Sequence, residues 1–196
     1  MERIDPAIVP GPTYNHAMIW WLRRQTDPAQ LHRAALNWNW DRETWPLRYI
    51  VDRPDCDKGT ALSIFFSAEP DWYAAHNSTG PYHDPNYRRL IHDPLPEPDD
   101  ISRIDEPIWL IRRIASNWAA GLYKTYRYHP NENAVFYLTQ RPAHLKISPT
   151  NLPWPIPADL CDSLPQGERL DCRGFEGSDY PDALQEVFDQ RPDIQP

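Results

Sequence analysis

Apolar and polar positions along the chain alternate in short helical stripes that prolines interrupt. From Tyr14 to Arg24, Ala17, Met18, Trp20 and Trp21 supply the apolar positions. Arg23 and Arg24 end the segment where cations complement a helix dipole, which predicts a helix capped by Thr13. Asp27-Pro28-Ala29-Gln30 combines a capping carboxylate, a first-turn proline and a glutamine at the third helical position, and this helix runs to about Asn37 with Leu31, Ala34 and Ala35 inward. The next helix is placed from Thr44 through Val51, because Pro46 is tolerated only in a first turn, and Pro54 stops it. Asp57 then caps Lys58 to Ala68, whose run Ala61-Leu62-Ser63-Ile64-Phe65-Phe66 is apolar almost all round, as a central helix must be. Asp71 opens one further turn or two.

The pattern lapses between Asn77 and Asp105. Gly80-Pro81, Asp84-Pro85, Asp93-Pro94 and Pro96-Glu97-Pro98 leave room only for a short turn around Tyr87 to Ile91, so a long loop is expected. Asp105-Glu106-Pro107 starts a strong helix to about Ala120, with Ile108, Ile111, Ala115 and Trp118 on one stripe and Gly121 beyond its end. Val135 to Leu138 and Leu145 to Ile147 read as two short strands flanking Gln140-Arg141-Pro142. Asn151 to Pro157 is polyproline-like, and Pro181 to Asp189 carries a last stripe of Leu184, Val187 and Phe188. Leu31 to Trp38 echoes Ile111 to Trp118, each closing on Asn-Trp; a duplicated hairpin and two helices that end alike by chance both remain open. The expected fold is mainly α: packed helical hairpins with long Pro-rich loops and at most a small β-hairpin near 134–148.

Charge divides the chain unevenly. The net charge is −8, yet residues 1–150 hold 17 basic and 18 acidic side chains, whereas 151–196 hold 3 basic and 10 acidic ones. The division expected is a helical domain over 1–150 and an acidic, Pro-rich C-terminal region over 151–196, packed on the domain or extending from it. An acidic surface of this kind repels nucleic acid and anionic membrane and suits a basic protein partner. The bland alternative is that the charge only confers solubility. No run approaches the ~18 uncharged apolar residues of a membrane span, and the charged, Pro-rich start is unlike a signal peptide, so a cytoplasmic location is expected. Cys56, Cys161 and Cys172 form no C-x-x-C pair and are expected as free thiols.

Candidate chemistry is sparse. Asp55-Cys56-Asp57-Lys58-Gly59-Thr60 would present a thiol or carboxylate at a helix start, but the simpler reading makes Asp57 a cap, Gly59 a packing residue and Cys56 a small buried hydrophobe. His76, His83 and His92 sit in or beside the long loop at spacings that match no metal motif. Seven glycines supply no phosphate cradle, and no G-x-S-x-G or H-E-x-x-H occurs, so no cofactor, metal or catalytic residue is assigned. The residues singled out for partner binding are Trp20 and Trp21, which one helix stripe cannot easily bury together, and the acidic Asp99, Asp100, Asp171, Glu176, Asp179 and Asp182.

Asn37-Trp38-Asn39-Trp40-Asp41, followed by Pro54-Asp55-Cys56-Asp57-Lys58-Gly59-Thr60-Ala61-Leu62, resembles the bacterial family called domain of unknown function 4274, best over residues 31–75. A fainter likeness runs through Ile111 to Pro130, at Gly121-Leu122-Tyr123-Lys124-Thr125. The chain departs from the pattern at Pro46 and in its acidic end. The resemblance implies a mostly helical bacterial protein without established catalytic residues, in a family of the kind often found beside toxin genes as candidate immunity proteins. The function expected is thus a non-catalytic cytoplasmic binding protein, of the immunity or antitoxin type, that neutralises a basic effector, possible partners including a toxin. The alternatives are a small hydrolase using Asp55, Cys56, Asp57 or the loop histidines, and a structural or scaffold oligomer.

Overall fold

In the computed structural model, which describes residues 14–40, 44–71, 106–140 and 156–172, the helix starts follow the cap signals. Helix α1 is Tyr14–Arg24 and α2 is Pro28–Leu36. The Asp27 carboxylate accepts from the Ala29 N–H, and Pro28 occupies the first turn. Pro46 lies in a 3-10 turn, Trp45–Leu47, that feeds directly into α3, Arg48–Val51. The stretch predicted as one helix therefore begins with a tighter turn, where the missing proline N–H leaves no bond unmade. Asp57 caps α4, Lys58–Ser67, and every residue of α4 from Gly59 to Phe66 is buried.

Burial on all sides makes α4 the axis of the fold. It packs against α2, against α5 (Glu106–Ala119) and against α6 (Glu132–Gln140), while α1 and α5 flank the 3-10 turn and α3. Leu22, Leu31, Leu47, Ile50, Phe65, Phe66, Ile108 and Trp109 are among the fully buried side chains of one continuous core. Helix α5 ends in a Schellman motif. Gly121, at φ 66°, donates to the Trp118 carbonyl, and Leu122 donates to that of Asn117, both at 2.8 Å. The second Asn-Trp therefore lies inside the last turn of its helix, whereas Asn37 caps the end of α2. Asn117 also reaches across to the Val51 carbonyl at 2.9 Å, and Arg113 pairs with Asp52 at 2.5 Å, which fastens α5 to the end of α3.

One predicted element is different. Val135 to Leu138, read as a strand and as part of a β-hairpin near 134–148, lies inside α6. Its β-branched and aromatic residues imitate a strand, but Asn131 caps a helix by accepting from the Ala134 N–H at 2.9 Å. The inward positions are then Ala134, Tyr137 and Leu138, a helical spacing, and Phe136 points out. The described residues contain no strand, only an isolated parallel bridge between Tyr128 and Glu168. A short helix, α7 (Ala158–Cys161), precedes that bridge. The predicted strand at Leu145 to Ile147, the loop of 77–105, the polyproline stretch from 151 and the stripe of 181–189 lie outside the described residues.

The contact between α4 and the 125–129 segment leaves no room for a side chain at position 59. A Cβ added at Gly59 would fall on the carbonyl oxygen of Tyr128, backbone that cannot swing aside. Gly121 has space around it and needs only its left-handed φ. Gly59→Ala is accordingly expected to lose at least about 3 kcal/mol of stability and Gly121→Ala about 1 kcal/mol, measured by urea unfolding.

Candidate functional site

The chemistry-bearing hexapeptide at Asp55–Thr60 is spent on the interior. The Asp57 side chain is 2% exposed and accepts four hydrogen bonds. Oδ1 takes the N–H of Gly59 at 2.9 Å and of Tyr128 at 3.2 Å, and Oδ2 takes the Thr125 hydroxyl at 2.9 Å and the Arg127 N–H at 2.7 Å. One carboxylate thus caps α4 and holds the irregular 125–128 segment, whose backbone N–H groups have no ladder to join. The Thr125 carbonyl in turn accepts from Lys58 N at 2.8 Å.

His32 of α2 extends this network. Its ring is fully buried and stacks on Tyr128 at 5.0 Å. Nε2 lies 3.2 Å from the His129 carbonyl, which can only accept, so Nε2 carries the proton and Nδ1 accepts from the Thr60 hydroxyl at 2.8 Å. Burial holds the imidazole down at a pKa of about 4, against the opposing pull of Asp57. Cys56 is buried, its thiol directed at the Asp57 carbonyl at 3.7 Å, and burial followed by the Asp57 and Asp55 charges pushes its pKa upward. Asp55 pairs with Arg53 through two bonds of 2.7 and 2.8 Å, which holds its carboxyl below the usual range. Cys56 and Asp57 face inward while Asp55 faces out, so the three do not converge on one cleft.

A second feature sits on the surface. From α7 the chain runs as a strap back across the body. Trp118 donates to Asp159 at 2.8 Å, and Tyr126 donates through its hydroxyl to the Leu164 carbonyl at 3.0 Å. His129 N donates to the Glu168 carbonyl at 2.8 Å, Glu168 N to that of Arg127 at 2.7 Å, and Arg33 Nε to that of Asp171 at 2.9 Å. Residues 156–172 of the acidic region are thereby packed on the helical body. The strap's end forms one wall of an open cleft of about 670 Å³, lined by Leu36 and Asn37 of α2, by His129 to Asn131, by Val135, Phe136, Thr139 and Gln140 of α6, and by Arg169, Leu170 and Cys172. The Phe136 ring is 52% exposed there.

Of the residues singled out from sequence, Trp21 is half-buried against the core, and the Trp20 side chain is not among those described. Asp171 is exposed at the end of the strap, with its carbonyl bonded to Arg33. Asp99, Asp100, Glu176, Asp179 and Asp182, together with His76, His83 and His92, lie outside the described residues. All three cysteines are free thiols. Among the described residues there is no group of three or more His, Cys, Asp or Glu side chains fit to hold a metal, and no helix long and apolar enough to cross a membrane. Sequence reasoning missed His32, Phe136 and the cleft. The signal for Phe136 was the Asn131-x-x-Ala134 cap, which turns an apparent strand into a helix with an outward aromatic.

Residues 26–93 match the family model described as Domain of unknown function (DUF4274). This stretch is a DUF4274 segment. It contains both motifs that carried the resemblance, and α2, α3 and α4. It does not contain Thr125, Arg127 or Tyr128, so in this chain the carboxylate inside the DUF4274 segment is satisfied by residues beyond the match. No curated protein and no solved structure matches the chain.

Two outcomes follow from the buried network. Asp57→Asn places an amide N–H₂ against donors, so it is expected to cost about 3 kcal/mol or more in urea unfolding, and to raise amide exchange at Arg127 and Tyr128. For His32, the folded ring titrates near 4 and the unfolded ring near 6.5, so between those values the unfolded chain binds more protons. Stability should therefore decline as pH falls from 6.5 to about 4 and gain no further loss from this group below that, a total on the order of 3 kcal/mol. Comparing urea midpoints of the parent and His32→Gln at pH 7, 5.5 and 4.5 isolates the term; equal slopes would contradict it.

Proposed function

We propose that the chain is a non-catalytic binding protein of the immunity or antitoxin type, which engages a basic protein partner through its acidic C-terminal region. The observation that carries this reading is the anchored strap: α5, the 126–129 segment and α2 fix residues 159–171, so the acidic sequence beyond Cys172 leaves from a defined place beside an open cleft. Residues 173–196 hold 6 acidic and 2 basic side chains. Such a charge concentration raises the encounter rate with a cationic surface and opposes anionic ones. The inward use of Cys56, Asp57 and His32 supports a binding role over hydrolysis, since their hydrogen-bonding capacity is engaged by the fold.

Affinity capture from the source cells, followed by reconstitution with the purified captured protein, tests the reading. A single basic protein is expected to rebind, with affinity falling about tenfold between 50 and 300 mM salt and falling similarly when 173–196 is removed. Retention of no basic protein, or binding indifferent to both salt and the deletion, would refute it.

A further inference from the structure

We propose that residues 163–172 are releasable, and that the main-chain edge beneath them, Arg127 to His129, docks an extended, glycine-bearing segment of the protein partner. In the free protein the strap itself fills that place. The inference rests on the binding-protein reading and adds a site and a mode of contact. The strap is fastened in two unlike ways. Ile156 and Leu160 reach the core, and Asp159 takes the Trp118 indole N–H at 2.8 Å, so α7 is anchored by burial. From Asp162 to Cys172 no residue is buried, and Leu164 leaves 76% of its surface in solvent. This outer part is tied to the body through its main chain. The Leu164 carbonyl accepts from the Tyr126 hydroxyl and the Asp171 carbonyl from Arg33 Nε, while Glu168 exchanges two bonds with Arg127 and His129 in the parallel bridge. Exposed hydrogen bonds without apolar burial are the first to open under native conditions.

Release frees the Arg127 carbonyl and the His129 N–H. The edge keeps its shape without the strap, because the segment is held from behind: Asp57 takes the N–H groups of Arg127 and Tyr128, and His32 Nε2 donates to the His129 carbonyl. An acceptor and a donor two residues apart, fixed from the far side, are what an added strand pairs with. The strap also defines what fits. A Cβ on Gly167 would lie 2.5 Å from the Arg127 carbonyl oxygen, and Gly167 adopts a left-handed φ of 97°. The occupant therefore carries glycine immediately before the residue that pairs with 127 and 129. That next side chain is free to vary, since Glu168 is exposed, and three residues further on a carbonyl meets Arg33.

Fluorescence anisotropy with a labelled peptide of the sequence 163–172, serine replacing its cysteine, tests the edge on the full-length protein. Gly167→Val in the protein is expected to dislodge its own strap, read as lost amide protection at His129 and Glu168 with helical circular dichroism retained. This variant should bind the peptide about tenfold more tightly than the parent, whose tethered strap competes at high effective concentration. A peptide with valine at the glycine position should bind neither protein. Arg33→Gln combined with Tyr126→Phe removes two side-chain ties, leaves the backbone intact and should act in the same direction, which keeps the test decisive if Gly167→Val misfolds. Equal binding of the peptide to parent and variants, or a His129 amide that stays protected in them, would overturn the proposal. Dimers of the parent that Gly167→Val abolishes would give the edge to a second copy's strap, and the partner assignment would fall. The basic protein recovered by capture should compete with the peptide for the Gly167→Val protein. If both bind together, the edge proposal falls and the basic-partner reading stands.

Discussion

The fold turns on a single buried carboxylate. Asp57 sits where three requirements meet: α4 needs a cap, the 125–128 segment needs acceptors for its N–H groups, and the core needs both without water. Four donors around one side chain meet all three. The arrangement demands that α4 and the segment lie within touching distance, and this is why position 59 has no room for a side chain. His32 and Thr60 then tie α2 to the same junction, and Ser63 and Ser67 accept from Asn131 at the start of α6. The interior face of α4 is thus both the centre of the apolar core and the rail along which its polar connections are strung.

How much of this could be read from the chain depends on how local each cause is. Asp27 and Asp57 act on N–H groups two residues away, so their caps were legible, as was α4 from its all-round apolar run and the end of α5 from Gly121. The other half of Asp57's role was not legible, because Thr125, Arg127 and Tyr128 are about seventy residues distant, and the faint likeness that includes Thr125 says nothing of which carboxylate its hydroxyl meets. The α6 error has a different origin. Val135-Phe136-Tyr137-Leu138 has the composition of a strand, and the deciding Asn131 stands four residues before Val135, behind Glu132 and Asn133, which carry no apolar signal. The echo between Leu31–Trp38 and Ile111–Trp118 looks like one device used twice, yet Asn37 bonds within its own helix and Asn117 bonds across to α3.

The candidate site shows the same division. The hexapeptide that drew attention for its chemistry is consumed by structure. The surface feature with room for a ligand is built from residues that no spacing rule groups together: Asn37, Phe136 and Arg169 come from three separate stretches. Grouping them requires the strap, and the strap is held in part by backbone bonds at Arg127, His129 and Glu168, whose groups are the same whatever the side chain.

Anchoring changes what the acidic charge can do. A net charge of −8 spread over a sphere of this size would act weakly and without direction, since salt screens exposed charges beyond about 8–10 Å. Strapped down as far as Asp171, the chain passes from the body into 173–196 at a defined point, and that stretch holds 6 acidic and 2 basic side chains. In general, charge acts through solvent on the rate and sign of an encounter, whereas an exposed ring acts only on contact and so on how long an encounter lasts. Phe136 is fixed by the helix that Asn131 begins, and through Ser63 and Ser67 it is tied to the interior that Asp57 holds together.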